Sequence, residues 1–247
     1  MDRPWTRGFA APLLLAAVVA WALLARPEAG IGTMGMARAD YLVMWTGMTA
    51  AMMLSPLAWF ASGYAAAIRR GGGTTLVHLA RTSSLVCGYA LVWVVAGLVA
   101  LLLAAAIDEL AARWPAAVPW AGSAALLVAG GYQLSGLKAR CLATCRSPLS
   151  FALAAARLRG PLRDARVAVL HGGWCVACCW HLMAALIAVG TMDLRWTAGL
   201  AVLILVERAW RRSGPLVRAS GFALLVAGCL APWVPAVAPA LHELGMS

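Results

Sequence analysis

The sequence contains little charge, and acidic residues are its scarcest charged type. Only 9 of its 247 residues are Asp or Glu, and charged residues make up 12% of the chain. Soluble domains carry about 25% charged residues. Hard ions such as Mg²⁺ and Ca²⁺ are held by several carboxylate or carbonyl oxygens, so the sequence provides no carboxylate cage for them.

The residue sets of common enzymes are also missing. The chain shows no Ser-His-Asp set, no paired carboxylates inside an apolar run and no phosphate-binding loop. The usual hydrolytic and nucleotide-dependent chemistries therefore lack their groups. The sequence favours a protein that is not an enzyme.

The cysteines argue against a disulfide framework. Seven is an odd number, and none of them lies in a loop that we predict outside the cytoplasm. The chain is rich in apolar residues, with 63% hydrophobic residues and a mean hydropathy of +0.83. These values indicate an integral membrane protein rather than a soluble one.

Seven apolar runs predict an all-α fold, a polytopic bundle of about seven transmembrane helices in a single transmembrane domain, 1–247. The first run has no small-x-small cleavage site behind it, so we expect a retained signal-anchor at 9–25. The sixth run is short, and we expect it to be tilted or extended at its ends. The runs are 9–25, 41–68, 82–107, 118–137, 167–190, 196–206 and 217–234.

The basic residues give the orientation. The net charge of +11 comes from 20 Lys and Arg residues that lie between the apolar runs, so we predict no nucleic-acid partner. Most of them fall in alternate connections, which places the N-terminus in the cytoplasm and the C-terminus in the periplasm of a bacterial inner membrane. The cytoplasmic loop 138–166 contains start and stop signals for a short interfacial helix that contacts the lipid bilayer.

Soft metal donors cluster in the fifth run. His171, Cys175 and Cys178 fall within an arc of about 60° on a helix, and Cys179 and His181 lie about 80° to either side of His171. One cysteine in such a helix is usually a small hydrophobe. Three cysteines and two histidines in eleven residues indicate a metal site instead, because histidine is costly in hydrocarbon.

A row of methionines in the second run reaches the same depth in the membrane as the donors of the fifth run. Met44, Met48 and Met52 follow an i, i+4, i+8 spacing, which is often mere packing. Because the second and fifth runs cross the membrane in opposite directions, Met52 and Cys178 both lie about 18 Å from the outer end. We expect them to meet, with Met44 and Met48 guiding a metal inward and Met52 and Cys179 as alternate ligands.

Two thiols directly after the fourth run complete the predicted path. Cys141 and Cys145 lie one helical turn apart, which suits a cytoplasmic exit for the metal. The basic residues beside them are expected to lower the pKa of both thiols.

Three polar residues near the ends of the runs are interpreted as secondary. Gln133 is expected to hydrogen-bond His171, although an ordinary bond between helices is equally consistent with its position. Glu207 and Arg208 are interpreted as a pair at the membrane interface.

Three motifs resemble a bacterial family of unknown function, described as predicted metal-binding integral membrane proteins. The resemblance covers about residues 35–225 and implies a metal-binding membrane bundle. The motifs are Met44-Trp45-x2-Met48-x2-Ala51-Met52-Met53-x2-Pro56, then Tyr132-Gln133-Leu134-x2-Leu137-Lys138-x2-Cys141-x3-Cys145-Arg146-x-Pro148, and His171-Gly172-x-Trp174-Cys175-x2-Cys178-Cys179-Trp180-x-Leu182-Met183.

The donor chemistry favours Cu(I), with zinc second, because thiolate, thioether and imidazole are all soft or borderline ligands. We therefore predict an inner-membrane protein that binds Cu(I) for uptake, delivery or insertion into a periplasmic or membrane metalloprotein. One alternative is a thiol-disulfide or quinone oxidoreductase that uses Cys175 and Cys178. Another is a structural subunit whose Cys and Met residues only pack.

Overall fold

The computed structural model describes residues 4–24, 37–69, 72–147, 157–158, 160, 162–189 and 194–234. Within these ranges the longer elements are all helical, as the sequence predicts. The helices are α1 (Pro4–Leu24), α2 (Arg38–Arg69), α3 (Thr75–Arg113), α4 (Val118–Leu134), α5 (Gly136–Cys145), α6 (Arg163–Val189), α7 (Leu194–Ala209) and α8 (Gly214–Leu230), with a 3₁₀ turn at Pro115–Ala117. The predicted interfacial helix falls mainly on residues 148–156, which lie outside the described ranges.

Three of these helices are long and apolar enough to cross a membrane: Arg38–Ala66 in α2, Thr75–Arg113 in α3 and Arg163–Leu186 in α6. Ala10–Leu23 and Gly214–Leu230 are shorter apolar helices. The seven spans and their orientation stay predictions. Many large apolar side chains of α3 are exposed, such as Leu76 and Leu102, which is typical of a surface covered by lipid or by a partner.

One threonine cap and one serine cap change the predicted boundaries of two helices. The third run was expected to begin at residue 82, but α3 begins at Thr75, because the side chain of Thr74 accepts a hydrogen bond from the backbone N of Val77. The fourth run was expected to extend to residue 137, but the backbone is extended at Ser135. The Ser135 hydroxyl accepts from the Lys138 backbone N at 3.2 Å and starts α5.

Helix α6 occupies the centre of the packing, since it contacts α3, α4, α5 and α7. Its first turn is fixed by Asp164. The carboxylate of Asp164 accepts from Nε and Nη2 of Arg81 at 3.0 Å each, and it also accepts from the hydroxyl of Tyr64. This bidentate contact is a strong, geometrically defined hydrogen bond. It joins α2, α3 and α6 at one point.

A pair of adjacent glycines tests how closely α4 and α8 must approach. A Cβ at Gly130 would lie 2.9 Å from the carbonyl oxygen of Gly221, whereas a Cβ at Gly131 would meet nothing within 4 Å. We expect Gly130→Ala to destabilise the protein by about 1–3 kcal/mol through overpacking. Gly131→Ala, the matched control, should be neutral or slightly stabilising. Thermal unfolding in detergent measures both, and equal melting temperatures would contradict the close approach.

Candidate metal centre

The five soft donors of α6 all face the protein interior. Each is no more than 4% exposed, whereas Trp174 and Trp180 on the same helix are 40% and 38% exposed. The periodicity of an α-helix explains this separation, because the donors and the two indoles occupy different arcs. The buried donors are His171, Cys175, Cys178, Cys179 and His181.

One pair of sulfur atoms joins α6 to α2. The Sγ atom of Cys175 lies 4.0 Å from the Sδ atom of Met53. The neighbouring thiol of Cys179 donates to the carbonyl oxygen of Cys175 at 3.0 Å. We call Met53, Cys175 and Cys179 the sulfur cluster. All three residues are buried in the hydrophobic core formed mainly by α2, α3 and α6, which we call the main core.

Two polar groups converge on the sulfur of Cys175. The hydroxyl of Tyr89, on α3, lies 2.9 Å from Sγ. Arg208, in the last turn of α7, donates from Nη2 to the same Sγ at 2.9 Å and to the Cys175 carbonyl oxygen at 3.2 Å. A hydrogen-bond donor and a guanidinium cation both compensate negative charge on sulfur. The thiolate is the form that binds metals, so this environment suits a metal ligand.

A second group of thiols lies where α5 packs against α6. The thiols of Cys145 and Cys178 are hydrogen-bonded to each other, and Cys178 shares a small buried cluster with Cys141. We call this group, which consists of Cys141 and Cys145 of α5 and Cys178 of α6, the α5 thiols. The hydrogen bond to Cys178 and burial together raise the pKa of the Cys145 thiol. The predicted lowering of the pKa is therefore wrong for Cys145.

The two histidines have different surroundings. The ring of His171 stacks on Phe60, with centroids 3.9 Å apart and planes 5° from parallel. The side-chain oxygen of Gln133 lies 2.5 Å from Nε2 of His181, so the expected partner, His171, is replaced by His181. Helix α4 packs against α6, and Gln133 meets α6 at His181, ten residues after His171 in the chain.

Gln133 also fixes the tautomer of His181. Its amide nitrogen donates to Oε1 of Glu207 at 2.5 Å and to the hydroxyl of Ser220 at 2.8 Å, so its oxygen must face the imidazole. An oxygen acceptor requires the hydrogen on Nε2 of His181. The other nitrogen, Nδ1, is buried and has no hydrogen-bond partner among the described residues. Its lone pair is therefore available as a soft donor.

The interpretation of Glu207 and Arg208 as an interface pair is wrong. Glu207 is 1% exposed, and its Oε2 accepts from Nζ of Lys138 at 2.7 Å. Lys138 donates a second hydrogen bond to the carbonyl oxygen of Cys178 at 2.8 Å. Sequence reasoning missed this buried network, because Lys138 and Glu207 lie in different helices, 69 residues apart.

The residues of the predicted site fall into two buried clusters, and the methionine row lies with only one of them. Met48 and Met52 are buried in the same core as Cys175, and Met44 packs against that core. Cys178 belongs instead to the cluster with Cys141. Met53, which the i, i+4 pattern does not include, is the methionine whose sulfur approaches an α6 thiol.

The donors come together in small groups rather than as one preformed shell. In the part of the chain that the structure describes, no three His, Cys, Asp or Glu side chains are grouped closely enough to hold a metal ion. Thioether sulfur is outside that set of donors. Any ion at the sulfur cluster would therefore use Met53 as well as the cysteines.

An apolar cleft between α2 and α3 borders the sulfur cluster. It comprises about 450 Å³ of space, including space that is open to the outside, and its lining includes Thr49, Ala50, Met53, Tyr89 and Trp93. Two of these residues, Met53 and Tyr89, contact Cys175 directly. The cleft thus reaches the sulfur cluster from the side.

Comparison with known proteins identifies the family of the chain. Residues 42–231 match a family model described as "PpoB2: Copper chaperone". This segment contains the methionine row, the sulfur cluster and the α5 thiols. No curated protein and no solved structure matches the chain.

Proposed function

Because the chain belongs to the PpoB2 family of copper chaperones, we propose that it is an inner-membrane carrier that binds Cu(I) at the sulfur cluster. It would then deliver the ion to a copper-requiring partner protein. The family gives the role in copper handling. The observation that carries the proposed site is the buried approach of Cys175 Sγ to Met53 Sδ, at 4.0 Å.

The geometry and chemistry of the sulfur cluster suit Cu(I). With metal–sulfur bonds of about 2.3 Å, as in zinc thiolates, two sulfur atoms 4.0 Å apart would bond one ion at an angle of about 120°. Thiolate and thioether ligands favour Cu(I) among biological metals. Zinc usually takes four ligands in a tetrahedron, and the cluster offers three.

The other donors supply a route to and from this site. Met44, Met48 and Met52 belong to or pack against the core that contains Cys175, so they would pass the ion along α2. Cys178 is three residues from Cys175, and its thiol is hydrogen-bonded to the thiol of Cys145. The α5 thiols would therefore receive the ion next, with His181 Nδ1 as a further donor on the same helix.

A location in the bilayer is supported by the fold. Three helices are long and apolar enough to cross a membrane, and the side chains that α3 exposes are largely apolar. A donor set enclosed by such helices would be sheltered from water. This shelter would protect Cu(I) and its thiolates from oxidation.

The direct test is a Cu(I) titration of the detergent-purified protein under reducing, oxygen-free conditions, in competition with a chromogenic Cu(I) chelator. We expect the protein to take Cu(I) from the chelator in a defined stoichiometry. The proposal fails if the chelator keeps all of the copper at every protein concentration.

A thiol-disulfide oxidoreductase is the second candidate, and one contact favours it. The thiols of Cys145 and Cys178 are hydrogen-bonded across two helices, a pairing that differs from the Cys175–Cys178 pair expected from the sequence. Counting free thiols after exposure to a quinone, with and without Cu(I), separates the two functions. Loss of two thiols at the rate at which the quinone is reduced would support the oxidoreductase.

Met53 gives a sharper test of the sulfur cluster. We expect Met53→Leu to weaken Cu(I) binding by about tenfold, or about 1.4 kcal/mol, because leucine fills a similar volume without a donor atom. The melting temperature should change little, since Leu and Met exchange at low cost in packed cores.

Met183→Leu is the matched control for Met53→Leu. Met183 is also buried in the main core, but it lies on α6, and among the described residues the thioether that is hydrogen-bonded to a cysteine belongs to Met53. Chelator competition should give this variant the wild-type affinity. Equal losses in the two variants would mean that Met53 acts through packing alone.

A further inference from the structure

Arg208 is a cation that lies close to thiols of both the sulfur cluster and the α5 thiols. Its Nη2 donates to Sγ of Cys175 at 2.9 Å. The guanidinium is also close enough to interact electrostatically with the thiols of Cys145, Cys178 and Cys179. One arginine thus contributes charge to the sulfur cluster and to the α5 thiols together.

No carboxylate neutralises this charge in the described ranges. The adjacent acidic residue, Glu207, forms its ion pair with Lys138 at 2.7 Å. Arg208 forms no ion pair with an Asp or Glu side chain of the described residues. The arginine guanidinium stays protonated in proteins, so a fixed positive charge stands beside Cys175.

A fixed charge of this kind sets which ions the cluster can hold. The guanidinium of Arg208 lies 2.9 Å from Sγ of Cys175, so it repels any cation that Cys175 binds. The Coulomb energy of this repulsion is about twice as large for a divalent ion as for a monovalent ion at the same distance. Because the interior screens charges poorly, the cost falls mainly on a divalent ion.

We propose that Arg208 is a specificity-determining residue that makes the sulfur cluster selective for monovalent soft ions, Cu(I) and Ag(I), over divalent ions such as Zn(II). The inference deepens the proposed function and rests on it. Ligand softness alone would not give this selectivity, because cysteine thiolates also bind zinc tightly. The charge of one arginine supplies the difference.

Two substitutions separate charge from shape. Arg208→Gln removes the charge and keeps a hydrogen-bond donor for the Cys175 carbonyl oxygen. Arg208→Lys keeps the charge and loses the planar guanidinium. A selectivity that follows charge must be lost in the first variant and retained in the second. A structural role of the guanidinium would affect both.

The experiment equilibrates the detergent-purified full chain with equimolar Cu(I) and Zn(II) under reducing conditions and measures both bound metals by elemental analysis. We expect the wild type to prefer Cu(I), and Arg208→Gln to lower the bound Cu(I):Zn(II) ratio by about tenfold. Arg208→Lys should keep a ratio within about threefold of the wild type. An unchanged ratio in Arg208→Gln, or equal losses in both variants, overturns the inference.

The wild-type protein provides a second measurement if Arg208→Gln does not fold. Ag(I) should compete with Cu(I) for the cluster, and Zn(II) should displace neither. A wild type that binds Zn(II) as tightly as Ag(I) overturns the charge selectivity. A wild type that binds neither Cu(I) nor Ag(I) overturns the proposed function itself, so the two failures are distinguishable.

Discussion

The Cys175→Ser variant is expected to lose Cu(I) binding almost completely. Cys175 is the residue at which the thioether of Met53, the hydroxyl of Tyr89 and the guanidinium of Arg208 meet. Serine removes the soft anionic ligand and leaves Arg208 beside a neutral hydroxyl. We expect the affinity to fall by about 100-fold or more, equivalent to about 2.7 kcal/mol, in the chelator competition.

The fold should survive this substitution, which makes the result interpretable. A serine hydroxyl can still accept hydrogen bonds from Tyr89 and Arg208. Cys229→Ser is the matched control. Cys229 is an exposed free thiol on α8 and belongs neither to the sulfur cluster nor to the α5 thiols. Wild-type copper content in Cys175→Ser would remove the sulfur cluster from the mechanism. Equal losses in both variants would point to a general effect of thiol removal.

The face of α6 that carries the donors could be predicted from the sequence, but its neighbours could not. Helical periodicity places Cys175 and Cys178 on one stripe, and both are buried. Periodicity gives no rotation of one helix against another. The methionine row and the shared depth of Met52 and Cys178 favoured Met52 as the partner of α6, whereas the sulfur that approaches is that of Met53, about 100° further round α2.

The polar network was missed for a different reason. Lys138, Gln133 and Glu207 stand near the ends of apolar runs, where charged and polar residues usually meet water or lipid headgroups. The break at Ser135 turns α5 back against α6, and this brings Lys138 inside. The serine cap was readable in the sequence, but the direction in which the following helix packs depends on contacts far along the chain.

The buried ion pair between Lys138 and Glu207 gives the largest expected change in stability. Both side chains are at most 2% exposed and lie 2.7 Å apart. Lys138→Met leaves the Glu207 carboxylate buried without its cation, and we expect this to cost about 3–5 kcal/mol. The loss should appear as a fall of about 10 °C in the melting temperature in detergent.

The double variant and an exposed pair show whether burial is the cause. Lys138→Met combined with Glu207→Gln removes both charges and keeps an amide for Gln133, so it should be more stable than Lys138→Met alone. Methionine can also replace the cation of an exposed pair. Arg113→Met breaks a contact of 2.6 Å with Glu109, in which the two side chains are 71% and 62% exposed, and such pairs contribute about 0–1 kcal/mol. If Arg113→Met costs as much as Lys138→Met, the penalty does not come from a buried charge. If instead only Lys138→Met is costly and copper affinity falls with it, the network holds the Cys178 carbonyl, and through it the α5 thiols, in position.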